Sequence, residues 1–287
     1  MESSNIKYRI AKSRGAQIIT TVLAFSIVLP LIFILLFIIK SGIQHVNWHF
    51  LVNVYKPEGE PNPGIGHALL GTILIVVTAS IIAIPIGILC GVYLSENKTS
   101  KLAYWSSLCV DVLQGVPSIV IGIVIFAWLH QRFGYFALAG SFALGIMMLP
   151  IIIRSTEETL KLLPDTLKEA GFALGMPFHR VILKVILPCG ISGILSGVML
   201  SVARVSGETA PLLFTAGVSH YLSSNVFKGP MQSLPLLIYD YYSLPSRETD
   251  PNSFINQAWG ASVILLVFVL LLNISTKLIT RKWKVQL

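Results

Sequence analysis

The chain is 287 residues long, 54% hydrophobic and only 12% charged, with a mean hydropathy of +0.76, where soluble domains carry about 25% charge. That balance excludes a water-soluble enzyme and a disordered protein. The 21 Lys and Arg outnumber the 13 Asp and Glu for a formal charge of +8, a surplus that suits nucleic acid only when the bases cluster on a wetted face.

Six uncharged stretches, each near the roughly 20 residues that cross a bilayer core of about 30 Å, predict membrane-spanning helices at residues 18–39, 68–94, 112–129, 133–153, 185–203 and 259–276. The first is longer than the roughly 7 to 15 apolar residues of a signal-peptide core, and reads as a spanning helix. Between the first two, His45 and His49 have a helical spacing for a metal but lie beside Trp48, as interfacial residues do. Gly87 and Gly91 in the second span, and Gly193 and Gly197 in the fifth, repeat at the four-residue spacing that lets helix backbones approach. Pro85, Pro117 and Pro150 interrupt the second, third and fourth spans and permit kinks. Cys90, Cys109 and Cys189 are far apart in apolar surroundings, which favours plain buried thiols.

Six spans place both termini on one side, and the positions of the basic residues choose that side. With the amino terminus inside, fifteen basic residues fall in inner segments: Lys7, Arg9, Lys12, Arg14, Lys98, Lys101, Arg154, Lys161, Lys168, Arg180, Lys184, Lys277, Arg281, Lys282 and Lys284. Five fall outside: Lys40, Lys56, Arg132, Lys228 and Arg247. Both termini are therefore expected in the cytoplasm. The positive charge is topological, and no nucleic-acid partner is expected.

No catalytic motif is present: Gly-Lys never occurs, so there is no phosphate-binding P-loop, and neither H-E-x-x-H nor G-x-S-x-G appears. The informative inner segment is the loop 154–184. Thr166 with Glu169 three residues on predicts a capping box that opens a helix, and Leu167, Ala170, Gly171 and Leu174 follow at helical spacing. Gly175 suits the left-handed residue that stops it, and Pro177 suits the first turn of the next helix. Ser155 with Glu157 and Glu158 suggests another first turn. The narrow Ala170 and Gly171 face offers close docking to another protein, and a helix lying on the membrane surface competes as an explanation.

Glu169-Ala170-Gly171, three residues, Gly175, nine residues, then Val185-Ile186-Leu187-Pro188 is similar to the E-A-A loop, E-A-A-x3-G-x9-I-x-L-P, of permease subunits in bacterial ABC importers. Gly171 replaces the second Ala, loosening the helix by up to about 1 kcal/mol, and Val185 replaces the Ile. The run Ala203-Arg204-Val205-Ser206-Gly207-Glu208-Thr209-Ala210-Pro211 resembles the A-type permeases of phosphate importers, the PstA family, as do residues 149–158 and 233–236. The resemblance implies an all-α, six-helix, MetI-like fold, one transmembrane domain over 1–287 with a core near 68–280, and a location in the bacterial inner membrane. It implies a non-catalytic subunit without cofactors whose partners are a second, different permease, two ATPase copies and an extracytoplasmic phosphate-binding protein. Glu169, Ala170, Gly171, Gly175, Leu187 and Pro188 would form the ATPase joint. The loop would thus be a coupling helix.

Independently of the resemblance, Arg204 lies in an apolar run from Val185 to Gly217 whose other charge is Glu208, on the same face if the helix continues. An Arg at mid-membrane costs about 2.5 to 3.5 kcal/mol, which makes it a functional candidate. Its planar fork suits a tetrahedral oxyanion, with Glu208 holding the fork until the anion arrives. A structural ion pair is the competing explanation. Arg154, at the inner end of the fourth span, joins the anion path on the strength of the resemblance. An importer of sulfate or molybdate, or a membrane scaffold or intramembrane enzyme, are the alternatives.

Overall fold

The computed structural model describes residues 2–57, 60–245 and 253–282, and among these every regular element is helical. Arg247 and Lys284 lie outside the described residues. Helix α1 (Glu2–Gly42) carries Pro30 without a break and meets the rest of the chain near its end, where the Phe37 ring stands edge-on to Trp259 at 5.3 Å. After the short α2 (Trp48–Val52), whose Asn47 cap accepts the Phe50 N–H at 2.8 Å, the bundle proper begins with α3 (Gly66–Glu96).

The centre of that bundle is α6 (Ala137–Lys161), the most buried of the long helices. Helices α3 and α9 (Leu187–Val205) pack on neighbouring faces of it and touch each other, and glycines set the distance on both faces. A Cβ on Gly87 would come within 2.7 Å of Ile152, and one on Gly91 within 2.5 Å of Thr156; on Gly193 and Gly197 it would overlap Thr159 and Ser155. The four-residue glycine spacing thus serves backbone approach, and it places small residues where α6 presents its β-branched and hydroxyl side chains.

The third expected span is not one helix. Chain 101–133 forms α4 (Lys101–Gly115) and α5 (Ser118–Phe133), bent by 104° at their junction. Pro117 has no N–H to continue α4 and forces Val116 into an extended conformation at ψ 126°. Pro85 and Pro150, by contrast, remain inside α3 and α6. The pair nevertheless follows α6 along its length, from Asp111 beside Arg154 to Ile121 and Ile125 packed with Phe136 and Ala139. Five single helices among the described residues are long and apolar enough to cross a membrane, and this bent pair, taken together, makes up to six.

Helix α6 also runs past the expected edge at Ile153 to Lys161, so Ser155 is no cap: its hydroxyl donates to the Gly193 carbonyl at 3.3 Å, and Glu157 sits within the helix. The end carrying Lys161 then leads through α7 (Thr166–Ala173) and α8 (Phe178–Val181) into a π-helical turn, Ile182–Ile186, and α9. Pro188, second in α9, lacks the N–H that an α-helical turn needs, and the wider turn upstream absorbs this with a Leu187 N–H bond to the Ile182 carbonyl.

At the far end, α10 (Ala210–Thr215) packs on α5 and α6, and α11 (Leu234–Ser243) packs on α12 (Phe254–Lys282). Phe136 N–H donates to the Thr215 carbonyl at 3.3 Å, and Leu234 N–H to Thr72 Oγ1 at 2.7 Å. A second apolar core of Phe50, Ile65, Leu237, Tyr241 and Phe254 lies beneath. Cys90 and Cys109 are not buried as expected: both are free and exposed, lining an apolar cleft where α3 and α4 leave space between them, and Cys189 is half-buried.

Gly197→Val is expected to lower the melting temperature of the purified protein in detergent, at the about 1–3 kcal/mol cost of an overfilled core. Gly15→Val, where a Cβ meets nothing within 4 Å, leaves it unchanged. Equal melting temperatures for the two would contradict the α6–α9 contact.

Candidate functional site

Helix α7 begins at Thr166, and its capping position is held by Asp165, whose backbone is already helical. The capping box expected of Thr166 and Glu169 is therefore not formed, and no side chain caps the helix. Its far end behaves as the residues predict. Gly175 adopts φ +73°, its N–H donates to the Phe172 carbonyl at 2.9 Å, and Met176 N–H donates to the Gly171 carbonyl at 3.2 Å, the paired bonds of a Schellman stop. Pro177 stands one place earlier than expected, at the cap of α8.

The faces of α7 divide clearly. Glu169 and Ala170 are exposed, and around them Phe172, Leu174 and Phe178 expose large apolar side chains, Leu174 to 82%. Gly171 is buried instead: a Cβ there would stand 3.0 Å from Val181 of α8. It closes the α7–α8 turn from within, so the outward narrow face is Ala170 alone. Leu187 packs on the main core, and Pro188 shapes the π turn behind. Lys168 reaches Glu96, the last residue of α3, at 2.7 Å.

Arg154 is fully engaged. Its Nη1 donates to Glu157 at 2.7 Å, Nη2 to Asp111 at 2.5 Å and to Ser107 Oγ at 2.8 Å, and Nε to Asp111 at 3.1 Å. Lys161 meets the other Glu157 oxygen at 2.6 Å. This network pins the end of α4 to α6. Asp111, Ser107 and the buried role of Glu157 escaped the sequence reading, which began the third span at residue 112. The available signal was Ser107 and Asp111 four residues apart, one polar stripe on an apolar helix.

Arg204 stands differently. Helix α9 stops at Val205, and Gly207 and Glu208 tighten into turns through bonds from their N–H groups to the Arg204 and Val205 carbonyls, both at 3.2 Å. The helix does not continue to Glu208, and the expected Arg204–Glu208 ion pair is absent among the described residues. Chain 206–209 is an unwound segment, after which α10 packs on α5 and on α6.

Its depth follows from the packing. Ala79 and Ala83, on either side of the α3 midpoint, face Gly145 of α6. Arg204 lines a small cleft of about 20 Å³ with Met147, Pro150 and Ile151, one to two turns along α6 from Gly145. Val116 and Gln114, at the α4–α5 break, line the same cleft. The end of α9 and the α4–α5 break thus come to one place beside the middle of α6, where exposed Arg204 shares the cleft with Ile121 in the first turn of α5, whose first N–H groups carry a partial positive charge. Both features favour an anion. Among the described residues no group of three or more His, Cys, Asp or Glu could hold a metal ion, the His45 and His49 spacing included.

Residues 83–285 match the family described as binding-protein-dependent transport system inner membrane component. A relative from Mycobacterium tuberculosis (strain CDC 1551 / Oshkosh), phosphate transport system permease protein PstA 1, is 38% identical over 257 residues, covering 88% of this chain and 83% of its own. The PstA permease of Yersinia pestis is 35% identical over 288 residues, covering 99% and 96%. In fold, the chain resembles the MetNI methionine ABC transporter, solved in inward-facing conformations, with a TM-score of 0.64, 20% identity and 77% of this chain covered against 96% of that one.

Glu157→Gln strands two cations around a carboxylate site whose side chain is 7% exposed. Its destabilisation is expected near the lower end of the about 3–5 kcal/mol for breaking a buried pair, since Lys161 keeps access to water. Asp111→Asn, at a 58% exposed side chain, should shift the melting temperature less; the reverse order would contradict the network. At Gly175 nothing lies within 4 Å of a Cβ, so Gly175→Val meets only the about 1–2 kcal/mol left-handed backbone penalty. Hydrogen exchange of the Thr166–Ala173 amides should quicken in that variant and stay near wild type in Gly175→Asn.

Proposed function

The chain belongs to the binding-protein-dependent inner-membrane transport components and, among them, to the PstA permeases, and from that membership we propose that it forms half of the membrane path of an ATP-driven importer of inorganic phosphate. The observation that carries this reading is the 35% identity across 99% of the chain to a permease of phosphate transport. The chain is a permease subunit, and ATP hydrolysis is assigned to two copies of a separate ATPase. A second, different permease completes the path, and an extracytoplasmic phosphate-binding protein delivers the anion.

Arg204 is the anion-contacting residue in this reading. It is exposed at mid-height beside two helix breaks, and its cleft is too small to enclose phosphate, so the remaining wall comes from the second permease. A guanidinium presents two parallel N–H donors to a tetrahedral oxyanion and stays charged throughout. Glu208, in the unwound segment, lies too far round for a helical pair and tunes the field near the path. Arg154 belongs to the path where its clamp to Asp111 and Glu157 opens.

Residues 154–184 are assigned as the coupling segment. Glu169 and Ala170 face outward among apolar Phe172, Leu174 and Phe178, which suits insertion into a groove of the ATPase, and the Gly175 stop fixes the angle of α7. Leu187 and Pro188 set the π turn that carries motion into α9. The charge bias places α7 and both termini in the cytoplasm.

The test is phosphate uptake by the assembled transporter in proteoliposomes supplied with ATP and binding protein. Arg204→Gln should cut uptake about tenfold or more, the scale of a lost charge-assisted hydrogen bond, while all subunits still co-purify. Normal uptake would remove Arg204 from the path, and competition by sulfate or molybdate with no effect of phosphate would reassign the cargo.

A further inference from the structure

We propose that the Lys168–Glu96 ion pair is a positioning link that carries displacement of α7 directly into α3, a second mechanical route beside the covalent one into α6 and α9. The inference rests on the coupling role given to α7 above. Helix α7 is tied through the chain to α6 by a four-residue connection and to α9 by the Gly175 turn, α8 and the π turn. Helix α3 lies earlier in the chain and has no such tether. Lys168 Nζ meets Glu96 Oε1 at 2.7 Å, with side chains 21% and 11% exposed, so water and salt screen this pair far less than an ordinary surface pair. Asp165 also lies within 3.8 Å of Lys168, but its side chain is 83% exposed and it belongs to the same turn.

Both charges sit at the wrong helix ends for their own helices. Glu96 is the last residue of α3, where the partial charge of the helix is negative, and Lys168 lies in the first turn of α7, where it is positive. Local helix stability therefore explains neither residue, whereas their pairing across two elements explains both. Among the described residues this is the ion pair that joins α7 to a long helix of the bundle. Gly87 and Gly91 seat α3 against Ile152 and Thr156 of α6 along its length, whereas the ion pair is the charged contact that ties the inner end of α3 to α7 itself. It fixes that end of α3 where α7 is pushed.

The experiment is a charge swap in the assembled transporter in proteoliposomes, reading phosphate accumulated per ATP hydrolysed together with co-purified ATPase. Lys168→Glu and Glu96→Lys should each lower that ratio about five- to tenfold, the lower range of coupling between sites, with ATPase still bound, and the double swap should restore most of it. Lys168→Arg should retain coupling and Lys168→Gln lose it, which keeps the test decisive where a reversal disturbs folding. Wild-type coupling in Lys168→Gln, or a double swap no better than either single reversal, would overturn the link. Failure of the wild-type complex to accumulate phosphate would instead strike the transport reading, a separate outcome.

Discussion

The near-contact of α6 with α3 and α9 is the constraint from which the remaining architecture follows. Inside a bilayer, lipid tails solvate apolar side chains as well as other helices do, so association rests on close packing and on satisfied polar groups. Glycines at 87, 91, 193 and 197 supply that closeness, and the hydroxyls of Ser155 and Thr159 meet the thinned face of α9. With α3 and α9 side by side on neighbouring faces of α6, the α4–α5 pair and α10 take its remaining surface, where Arg154 meets Asp111 and Gly140 meets Leu212.

How much was legible in the sequence depended on whether a rule was local or tertiary. Five of the spans followed from hydropathy, because every segment crossing a bilayer must satisfy its own backbone. Gly175 was legible for the same reason, since a left-handed helix stop is decided within six residues. The capping box at Thr166 failed although its pattern was right, because Asp165 was already helical and took the capping position. Prolines show the limit: Pro85 and Pro150 sit in unbroken helices while Pro117 ends one. The difference lies in what each neighbouring segment gains by turning, and α4 gains the bonds from Arg154 to Asp111 and Ser107.

The site was read in part. Arg204 stood out as an isolated cation in an apolar run, but its relation to Glu208 depended on the helix continuing, and the turn at 206–209 removes that premise. Arg154 joined the anion path by resemblance alone, and its partners Asp111, Ser107 and Glu157 could be named only from where α4 comes to rest. The short helices α10 and α11 left no hydropathy signal, since six and ten residues cannot cross a membrane. They matter because α10 packs on α5 and α6 while α11 packs on α12, tying separate long helices together.

Helix α1 has a separate consequence. It touches the remainder through Phe37, Gly42 and Trp259, and its most apolar stretch is buried by nothing else in the chain. A helix whose apolar stretch meets so little of the bundle can occupy the bilayer without waiting for the other helices to assemble around it. Its lipid-facing surface therefore leaves room for α1 to shift or tilt against Trp259 while the glycine-lined interior keeps its packing.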